Sequence, residues 1–384
     1  MQRKVTVVVT ARPSYSRIRT ALTALQNHPD TELQLVLAGS ALLSRYGGIE
    51  ETVIADGFEI AAKAHFMIEG ETPLTSAKST GLALLELSTV FAKLEPDIVV
   101  TIADRFETIA TALAAANMNI PLAHVQGGEV TGNIDEKIRH AITKLSDYHF
   151  ASNELAQSRI IKLGEDPEFV FMTGCPSIDI AQMAVNGSSG ELAPFETYGG
   201  IGPVIDTDEP YLLVMQHPVT STFESATAHV EETLKAVGST NMPTVWFWPN
   251  IDAGSDGTSK GIRHFREQNP DAPIHFFRGI DPEDFVRLMN QSAVMIGNSS
   301  AGIREASYLG VPVVNIGDRQ EGRLRGPNVI DTDYDADQIS QAIQTQISAK
   351  RPDPVKIYGD GTAGDQIAKI LATVELRNTK RLTY

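Results

Sequence analysis

Residues 295–323 read MIGNSSAGIREASYLGVPVVNIGDRQEGR and combine a strand, a turn and the start of a helix. The apolar run at 293–296 stops at Gly297, and Ser299 and Ser300 then precede a helix-like segment at 301–309. Such a turn presents free backbone N–H groups and hydroxyls to one point, which suits a phosphate. The stretch therefore predicts a phosphate-binding corner in an α/β sheet.

Three of the charged residues in the same stretch are candidate ligand-binding residues. Glu305 comes one helical turn after the serines and could accept hydrogen bonds from the two hydroxyls of a ribose. Arg319 and Arg323 follow a second apolar run, at 311–316. The serines could instead be plain helix caps, and the charged side chains could be ordinary solvated surface. Their clustering at the carboxyl end of a predicted parallel strand, where open α/β sheets bind ligands, favours a site.

Length and composition limit the classes of protein to which this chain can belong. The chain has 384 residues, 42% of them apolar, so two domains with separate cores are expected. The formal net charge of −16 argues against nucleic-acid and membrane partners. Cys175 is the only cysteine, which excludes an internal disulfide and a cysteine metal cluster. The amino terminus has too few apolar residues for a signal peptide, so a cytoplasmic location is expected.

The rest of the chain alternates apolar strands with helix-like segments. This alternation predicts parallel, doubly wound sheets in both halves. The tract at 186–210 is rich in Gly, Ser and Pro and is the predicted boundary between domains. We therefore expect an amino-terminal domain at 1–190, a carboxyl-terminal domain at 205–365, and a final helix and tail at 366–384.

Polar residues follow the predicted strands of the first half. Arg12 and Ser16 follow the strand at 5–9, without the GxGxxG pattern of a dinucleotide cofactor, so no cofactor is expected. Asp104 and Arg105 follow the strand at 97–102, where an adjacent acid and base could also be a surface ion pair.

The next strand, at 120–125, leads into QGGEVTGNIDEKIRH. Glu129, Asp135 and His140 supply titratable groups there, although Asp135 could instead cap a helix. Gln126 can form hydrogen bonds but cannot transfer a proton as a carboxylate does.

The second half repeats the pattern. His217 follows the strand at 211–215, although a lone histidine is more often structural. Asn250 and Asp252 follow the strand at 244–248, and Gly279 follows the strand at 273–277. All of these residues are predicted to lie at the carboxyl edge of the second sheet.

The segments GNSSAGIRE and RQEGR resemble the nucleotide-binding region of hydrolysing UDP-N-acetylglucosamine 2-epimerases, in the branch that supplies sialic-acid-type pathways. Further similarity runs from Ala11 to about Gly361, nearly the whole chain. The resemblance implies two Rossmann-like domains facing a cleft, in the GT-B-like arrangement. It also implies a UDP-sugar substrate, no cofactor or metal, and a homodimer or homotetramer.

The resemblance also implies roles for individual residues. Asp104 and Asp135 would share the proton transfers with Glu129 assisting, while a histidine at position 217 would lie near the diphosphate. The other matching positions would bind the nucleotide sugar, with Gly279 against the uracil; they are Arg12, Ser16, Arg105, Gln126, Asn250, Asp252, Gly279, Ser299, Ser300, Glu305, Arg319 and Arg323. Many family members carry glutamate where this chain has Gln126. Proton transfer here would then fall to Glu129 or Asp135.

The implied reaction converts UDP-N-acetylglucosamine and water to UDP and N-acetylmannosamine through a glycal. Three alternatives stay open at this point. The sugar could be the diacetamido sugar of the legionaminic-acid route, UDP-N,N'-diacetylbacillosamine, or the nucleotide could be GDP. The same fold serves many glycosyltransferases, because fold alone does not select a function. A sensor that binds a nucleotide sugar without turnover is the third alternative.

Overall fold

The computed structural model contains two parallel β-sheets, each covered by helices, within the residues that it describes, which are 2–43, 48–69, 72–102, 105–130, 134–187, 192–249 and 254–383. The chain divides into two compact units. Unit 1 comprises Met1–Glu129, Ile134–Asp179 and Tyr358–Tyr384, and unit 2 comprises Val130–Asn133 and Ile180–Ile357. The carboxyl-terminal segment thus belongs to unit 1, and the division near 180 falls inside a helix.

In the described part of unit 1, seven parallel strands form a sheet in the order β3-β2-β1-β4-β5-β6-β7. Strand β1 illustrates why such a sheet forms: its run of β-branched residues is typical of a parallel strand that is covered on both faces. Val5, Val7 and Val9 pack into the core on one face, and Val8 packs into the core on the other. The strands are β1 (Arg3–Val9), β2 (Thr31–Ala38), β3 (Ile60–Ala64), β4 (Ile98–Ile102), β5 (Leu122–Val125), β6 (Tyr148–Ala151) and β7 (Val170–Met172).

Helices flank this sheet and carry several of the predicted site residues. Their bounds are α1 (Arg12–Ser16), α2 (Arg19–Asn27), α3 (Glu50–Ala55), α4 (Pro73–Leu94), α5 (Thr108–Asn117), α6 (Ile134–Leu145), α7 (Glu154–Lys162) and α8 (Pro176–Asn186). Among the residues that the structure describes, no helix is both long enough and apolar enough to cross a membrane.

Over its described residues, unit 2 has a six-stranded parallel sheet in the order β10-β9-β8-β11-β12-β13. Leu213 and Met295 pack into one core, while Val214 and Ile296 pack into another core. The strands are β8 (Leu212–Met215), β9 (Thr244–Phe247), β10 (Ile274–Phe277), β11 (Val294–Gly297), β12 (Val313–Ile316) and β13 (Val329–Thr332). The remaining helices are α9 (Pro194–Tyr198), α10 (Ala226–Thr240), α11 (Ser255–Gln268), α12 (Pro282–Gln291), α13 (Glu305–Leu309), α14 (Ala336–Ser348) and α15 (Ala363–Thr373), the last of which returns to unit 1.

Each sheet reverses its direction of winding at one pair of strands. In unit 1 this switch lies between β1 and β4, and in unit 2 it lies between β8 and β11. The predicted α/β fold with two Rossmann-like doubly wound units is therefore confirmed. Ligands of open α/β sheets bind outside the carboxyl ends of the strands at such a switch point.

Two local predictions need correction. The helix-like segment at 301–309 is not one helix, because a 3-10 turn at Ser300–Gly302 precedes the short helix α13. The last helix begins at Ala363, not at residue 366. Strands β3 and β13 escaped prediction, since neither is fully buried and their apolar signal is weak.

Candidate functional site

Four of the predicted nucleotide-binding residues of unit 2 follow strands on the two sides of its switch point. His217 follows β8 and Ser299 follows β11, two strands whose pairing ends at Met215 and Gly297. Gly279 follows β10 and is exposed, while Arg319 follows β12 and is partly buried. The strands are parallel, so all four residues lie at the same edge of the sheet.

The turn after β11 depends on a glycine. Gly297 has a φ of +128°, and a Cβ on it would come 2.1 Å from the carbonyl oxygen of Met215. Only glycine adopts this conformation freely and tolerates that close approach. The tight turn places the next two residues, Ser299 and Ser300, directly beyond the strand end.

Both serines have local partners. The Oγ of Ser299 accepts a hydrogen bond from the Ala301 N–H at 3.3 Å, and the Oγ of Ser300 accepts one from Nη2 of Arg304 at 2.8 Å. The capping role considered for Ser299 is thus present. Each hydroxyl still has its own proton to donate, and a phosphate oxygen is a suitable acceptor for it.

Glu305 is a buried carboxylate at the first position of α13. The residue is 8% exposed, and among the described residues its Oε2 atom has no hydrogen-bond partner. The Nε atom of Arg304 lies 3.8 Å from Oε2, too far for a hydrogen bond. A buried acceptor of this kind is costly to leave unpaired, and a ligand hydroxyl would satisfy it.

Two arginines among the predicted residues of unit 2 lie in the segment that follows β12. Arg319 donates from Nη1 to the carbonyl oxygen of Asn298 at 3.1 Å, and Arg323 lies further along the same loop, partly buried. Asn250 and Asp252 lie outside the described residues.

In unit 1 the predicted residues occupy the β1 and β4 strand ends. Arg12 is the exposed first residue of α1, and Ser16 is the last residue of that helix. The Ser16 hydroxyl donates to the Arg12 carbonyl oxygen at 3.4 Å, one turn earlier in the same helix. Asp104 lies outside the described residues.

A residue that was not predicted holds Arg105. Glu107 is fully buried, and its Oε1 atom accepts a hydrogen bond from Nε of Arg105 at 2.9 Å. This ion pair orients the guanidinium beside the β4 strand end. Glu107 belongs to the ADRFE segment that drew attention to Asp104 and Arg105, but its burial was not legible from the sequence.

Gln126 occupies a strained position at the end of β5. Its φ is +68°, a left-handed conformation that non-glycine residues rarely adopt and that occurs often at functional sites. The residue is 3% exposed, and its Nε2 atom donates to Sγ of Cys175 at 3.0 Å. Sγ in turn lies 3.0 Å from the hydroxyl of Ser177. These contacts fix the orientation of the Gln126 amide.

Glu129 makes contacts typical of a structural carboxylate. Its Oε1 atom accepts hydrogen bonds from the Ser152 hydroxyl and, at 2.8 Å, from Nδ2 of Asn153, the amino-terminal cap of α7. Its carbonyl oxygen accepts from Nη1 of the buried Arg139 at 2.7 Å. Glu129 therefore joins α6 to α7, and its assistance in proton transfer stays a prediction.

Asp135 lies inside the first turn of α6 and is partly exposed. The helix begins at Ile134, so Asp135 is not its cap.

One turn further on, Nε2 of His140 lies 3.3 Å from Oε1 of Glu136. Among the described residues, no group of three or more His, Cys, Asp or Glu side chains is arranged to hold a metal ion.

The far end of α6 is held by the carboxyl-terminal tail. The Lys380 ammonium lies 2.5 Å from Oε2 of Glu165, a carboxylate that also accepts from Lys144 at 2.6 Å and contacts Nε2 of His149 at 3.0 Å. Burial opposes ionisation of Glu165, but hydrogen bonds from His149, Lys144 and Lys380 outweigh it and lower its pKa to about 2. Lys380 also donates to backbone carbonyls at the end of α6, those of Thr143, Lys144 and Ser146.

Comparison with known proteins gives a consistent picture. Residues 23–372 match the sequence family described as UDP-N-acetylglucosamine 2-epimerase. A Legionella pneumophila protein named UDP-N,N'-diacetylbacillosamine 2-epimerase (hydrolyzing) is 32% identical, with 98% of each chain covered. A Neisseria meningitidis UDP-N-acetylglucosamine 2-epimerase is 28% identical, covering 98% of this chain and 97% of the relative.

Solved structures show the same fold. The crystal structure of the Neisseria meningitidis UDP-GlcNAc 2-epimerase bound to UDP-GlcNAc has a TM-score of 0.79 at 18% identity, covering 96% of this chain and 99% of that chain. The Methanocaldococcus jannaschii UDP-GlcNAc 2-epimerase in complex with UDP-GlcNAc and UDP has a TM-score of 0.78 at 19% identity, with the same coverage. The family match extends over most of the chain and includes both units. The chain therefore belongs to the UDP-N-acetylglucosamine 2-epimerase family.

Proposed function

We propose that this protein is a hydrolysing nucleotide-sugar 2-epimerase, which converts UDP-N-acetylglucosamine and water to UDP and N-acetylmannosamine. The proposal is carried by the residues at the switch point of unit 2, in a chain that belongs to this family. Two serine hydroxyls, His217 and Arg319 lie there at one sheet edge, and the buried carboxylate Glu305 begins the helix beyond them. Donors and cations suit a diphosphate, and a buried acceptor suits a ribose.

In the first chemical step the bond between C1 and the diphosphate oxygen breaks, and its electron pair leaves with UDP. Negative charge on the diphosphate increases as this bond breaks. Arg319, His217 and the Ser299 hydroxyl would stabilise that charge more strongly in the transition state than in the bound substrate. Arg12 and Arg105 of unit 1 are predicted to serve the same group.

In the same elimination a base removes the proton from C2, and a double bond forms between C1 and C2. Water then adds to this glycal: a proton returns to C2 on the opposite face, and hydroxide bonds to C1. The sum is one water consumed, one UDP released and C2 inverted. Two acid-base groups on opposite faces are needed. We assign them to Asp104 and Asp135, with Glu129 assisting.

The identity of the sugar is a second part of the proposal. The Legionella relative is named for UDP-N,N'-diacetylbacillosamine, and a Campylobacter jejuni relative, 30% identical over 90% of this chain and 88% of its own, is named for the GDP or UDP form of that sugar. The buried Gln126 amide, fixed by Cys175, is the residue that would discriminate between one acetamido group and two. UDP-N,N'-diacetylbacillosamine is therefore the principal alternative substrate. A role in sialic- or legionaminic-acid synthesis, which the resemblance implies, is part of the same proposal.

The test is acceptor-free turnover. Purified protein is incubated with UDP-N-acetylglucosamine, UDP-N,N'-diacetylbacillosamine and GDP-N,N'-diacetylbacillosamine, and the released nucleotide and sugar are separated and identified. We expect stoichiometric nucleotide and a free manno-configured sugar from at least one of them. Release only after an acceptor is added would establish a glycosyltransferase. Binding of all three nucleotide sugars without release would establish a sensor.

A further inference from the structure

Asn298 lies between Gly297 and Ser299 and is fully buried. Its side chain pairs with the backbone of His217 in both directions. The Oδ1 atom accepts from the His217 N–H at 2.7 Å, and Nδ2 donates to the His217 carbonyl oxygen at 2.8 Å. The amide thereby extends the pairing of β8 with β11, whose last backbone pair is Met215 with Gly297.

The backbone of Asn298 contacts a third strand end. Its carbonyl oxygen accepts hydrogen bonds from Nη1 of Arg319 at 3.1 Å and from Nε2 of Gln320 at 2.8 Å. Its N–H donates to the carbonyl oxygen of Met215 at 3.2 Å. One buried residue thus joins the loops after β8, β11 and β12.

The pairing with His217 requires an amide. The backbone of one residue presents an N–H donor and a C=O acceptor, and an asparagine side chain offers the complementary acceptor and donor. An aspartate would keep the acceptor but place an oxygen against the His217 carbonyl. Serine is too short to reach both groups. The residue type is therefore specified by the backbone that it contacts.

We propose that Asn298 is a positioning residue that fixes His217 and Arg319 relative to Ser299, so that the three loops present their donors to the diphosphate in one geometry. This inference rests on the proposed function. Asn298 is buried beneath the loops and acts through the residues that it holds. Its substitution should impair nucleotide binding and turnover more than its effect on folding explains.

Asn328 provides a matched control. It lies in the same unit and is 1% exposed, and its side chain also uses both ends: Nδ2 donates to the Val311 carbonyl at 2.7 Å, and Oδ1 accepts from the Ser307 hydroxyl at 3.0 Å. Asn298→Asp and Asn328→Asp therefore place the same repulsion in equally buried positions. They differ in their partners: the Asn328 side chain bonds to Ser307 and Val311, whereas the Asn298 side chain bonds to the backbone of His217.

The experiment measures Tm, UDP affinity and kcat/KM for both variants. Both should lose thermal stability, but only Asn298→Asp should lose UDP affinity and kcat/KM, each by about 10- to 100-fold. Asn298→Ser, which places no negative charge against the His217 carbonyl, should show a smaller loss and serves if the aspartate variant does not fold. In a His217→Ala background, Asn298→Asp should cost less than in the wild type, because part of its effect passes through His217.

Two results separate the failure of this inference from the failure of the proposed function. If His217→Ala and Arg319→Ala impair UDP binding but Asn298→Asp behaves like Asn328→Asp, the positioning role is wrong and the site stands. If His217→Ala and Arg319→Ala leave UDP binding and turnover unchanged, the diphosphate is not held at this edge and the proposed function loses its support.

Discussion

The two switch points occupy equivalent places in their sheets but are built from different chemistry. The β8/β11 edge of unit 2 is joined by hydrogen bonds through the fully buried Asn298, and it carries hydroxyls and cations. The strand ends of unit 1 carry the carboxylate Glu107 against Arg105 and the amide of Gln126, whose backbone has a left-handed conformation. The fold fixes where a ligand binds, and the side chains fix what is done to it.

This difference suggests a division of work between the units. A diphosphate is best held by donors that do not reorganise as charge develops, and a hydrogen-bonded network provides that rigidity. Proton transfer needs titratable groups, and Glu129 and Asp135 both belong to the segment that follows β5. We therefore expect substitutions at the β8/β11 edge of unit 2 to weaken UDP binding, and substitutions of Asp135 or of the residues that orient Gln126 in unit 1 to slow the reaction or shift its specificity.

The largest effect should come from Asp135→Asn. If Asp135 transfers a proton, its amide replacement should lower kcat by about 10²- to 10⁴-fold while the UDP dissociation constant stays within about twofold of the wild type. Glu136→Gln is the control, because Glu136 is the next residue of α6 and is also partly exposed. Equal loss of UDP binding and turnover in Asp135→Asn would show that the residue is structural.

The next-largest effect should come from removing the contacts that hold the end of α6. Lys380→Met removes the ammonium that pairs with the buried Glu165 and binds carbonyls at the end of α6. We expect a loss on the order of 3 kcal/mol in the free energy of unfolding, because a buried carboxylate loses one of its partners. The exposed Lys369 of α15 is the control, and Lys369→Met should change stability by less than about 0.5 kcal/mol.

The Lys380→Met effect should depend on pH with a defined sign. The pKa of Glu165 is lowered from 4.5 to about 2, so its ionised form stabilises the folded chain above about pH 4.5. That stabilisation is lost as the pH falls through the window down to about 2. The stability difference between wild type and Lys380→Met should therefore shrink on acidification, as measured by urea unfolding at several pH values. A difference that grows toward low pH would contradict the assignment.

A smaller effect should follow from Glu305→Gln in unit 2. An amide accepts a ribose hydroxyl less strongly than a carboxylate does, so UDP affinity should fall by about tenfold. Turnover at saturating substrate should change less than affinity. Glu232→Gln is the control, since the Oε2 atom of Glu232 accepts from the Ala336 N–H and has this structural partner instead of a ligand. Unchanged UDP affinity in Glu305→Gln would place the ribose elsewhere.

The smallest effect should come from Cys175→Ala, which removes the acceptor that orients the Gln126 amide. We expect the ratio of kcat/KM between the mono- and diacetamido substrates to change by a few-fold, on the order of 1 kcal/mol or less, with UDP affinity unchanged. Cys175→Ser keeps an acceptor and should restore the wild-type ratio. If Cys175→Ala instead alters the UDP affinity and leaves this kcat/KM ratio unchanged, Gln126 does not contact the sugar.

Most of the strands and their ends were predictable because their signals are local, whereas β3 and β13, with a weaker apolar signal, were not. The β-branched run of β1 and the Gly297 turn are legible in a few residues each. The contacts within the site could not be predicted, because they join segments that are far apart in the sequence. Asn298 and His217 are 81 residues apart, and Gln126 and Cys175 are 49 residues apart. The sequence pointed to His217 and Ser299 but could not reveal the asparagine that holds their loops together.

The proposed reaction makes one demand that no transferase or sensor shares, which is exchange of the C2 proton. Acceptor-free turnover in D2O, followed by proton NMR of the released sugar, measures it directly. We predict free sugar of manno configuration with deuterium at C2 and protium at every other carbon. A released sugar that retains protium at C2 would contradict elimination and rehydration, and with them the division of work between the two units.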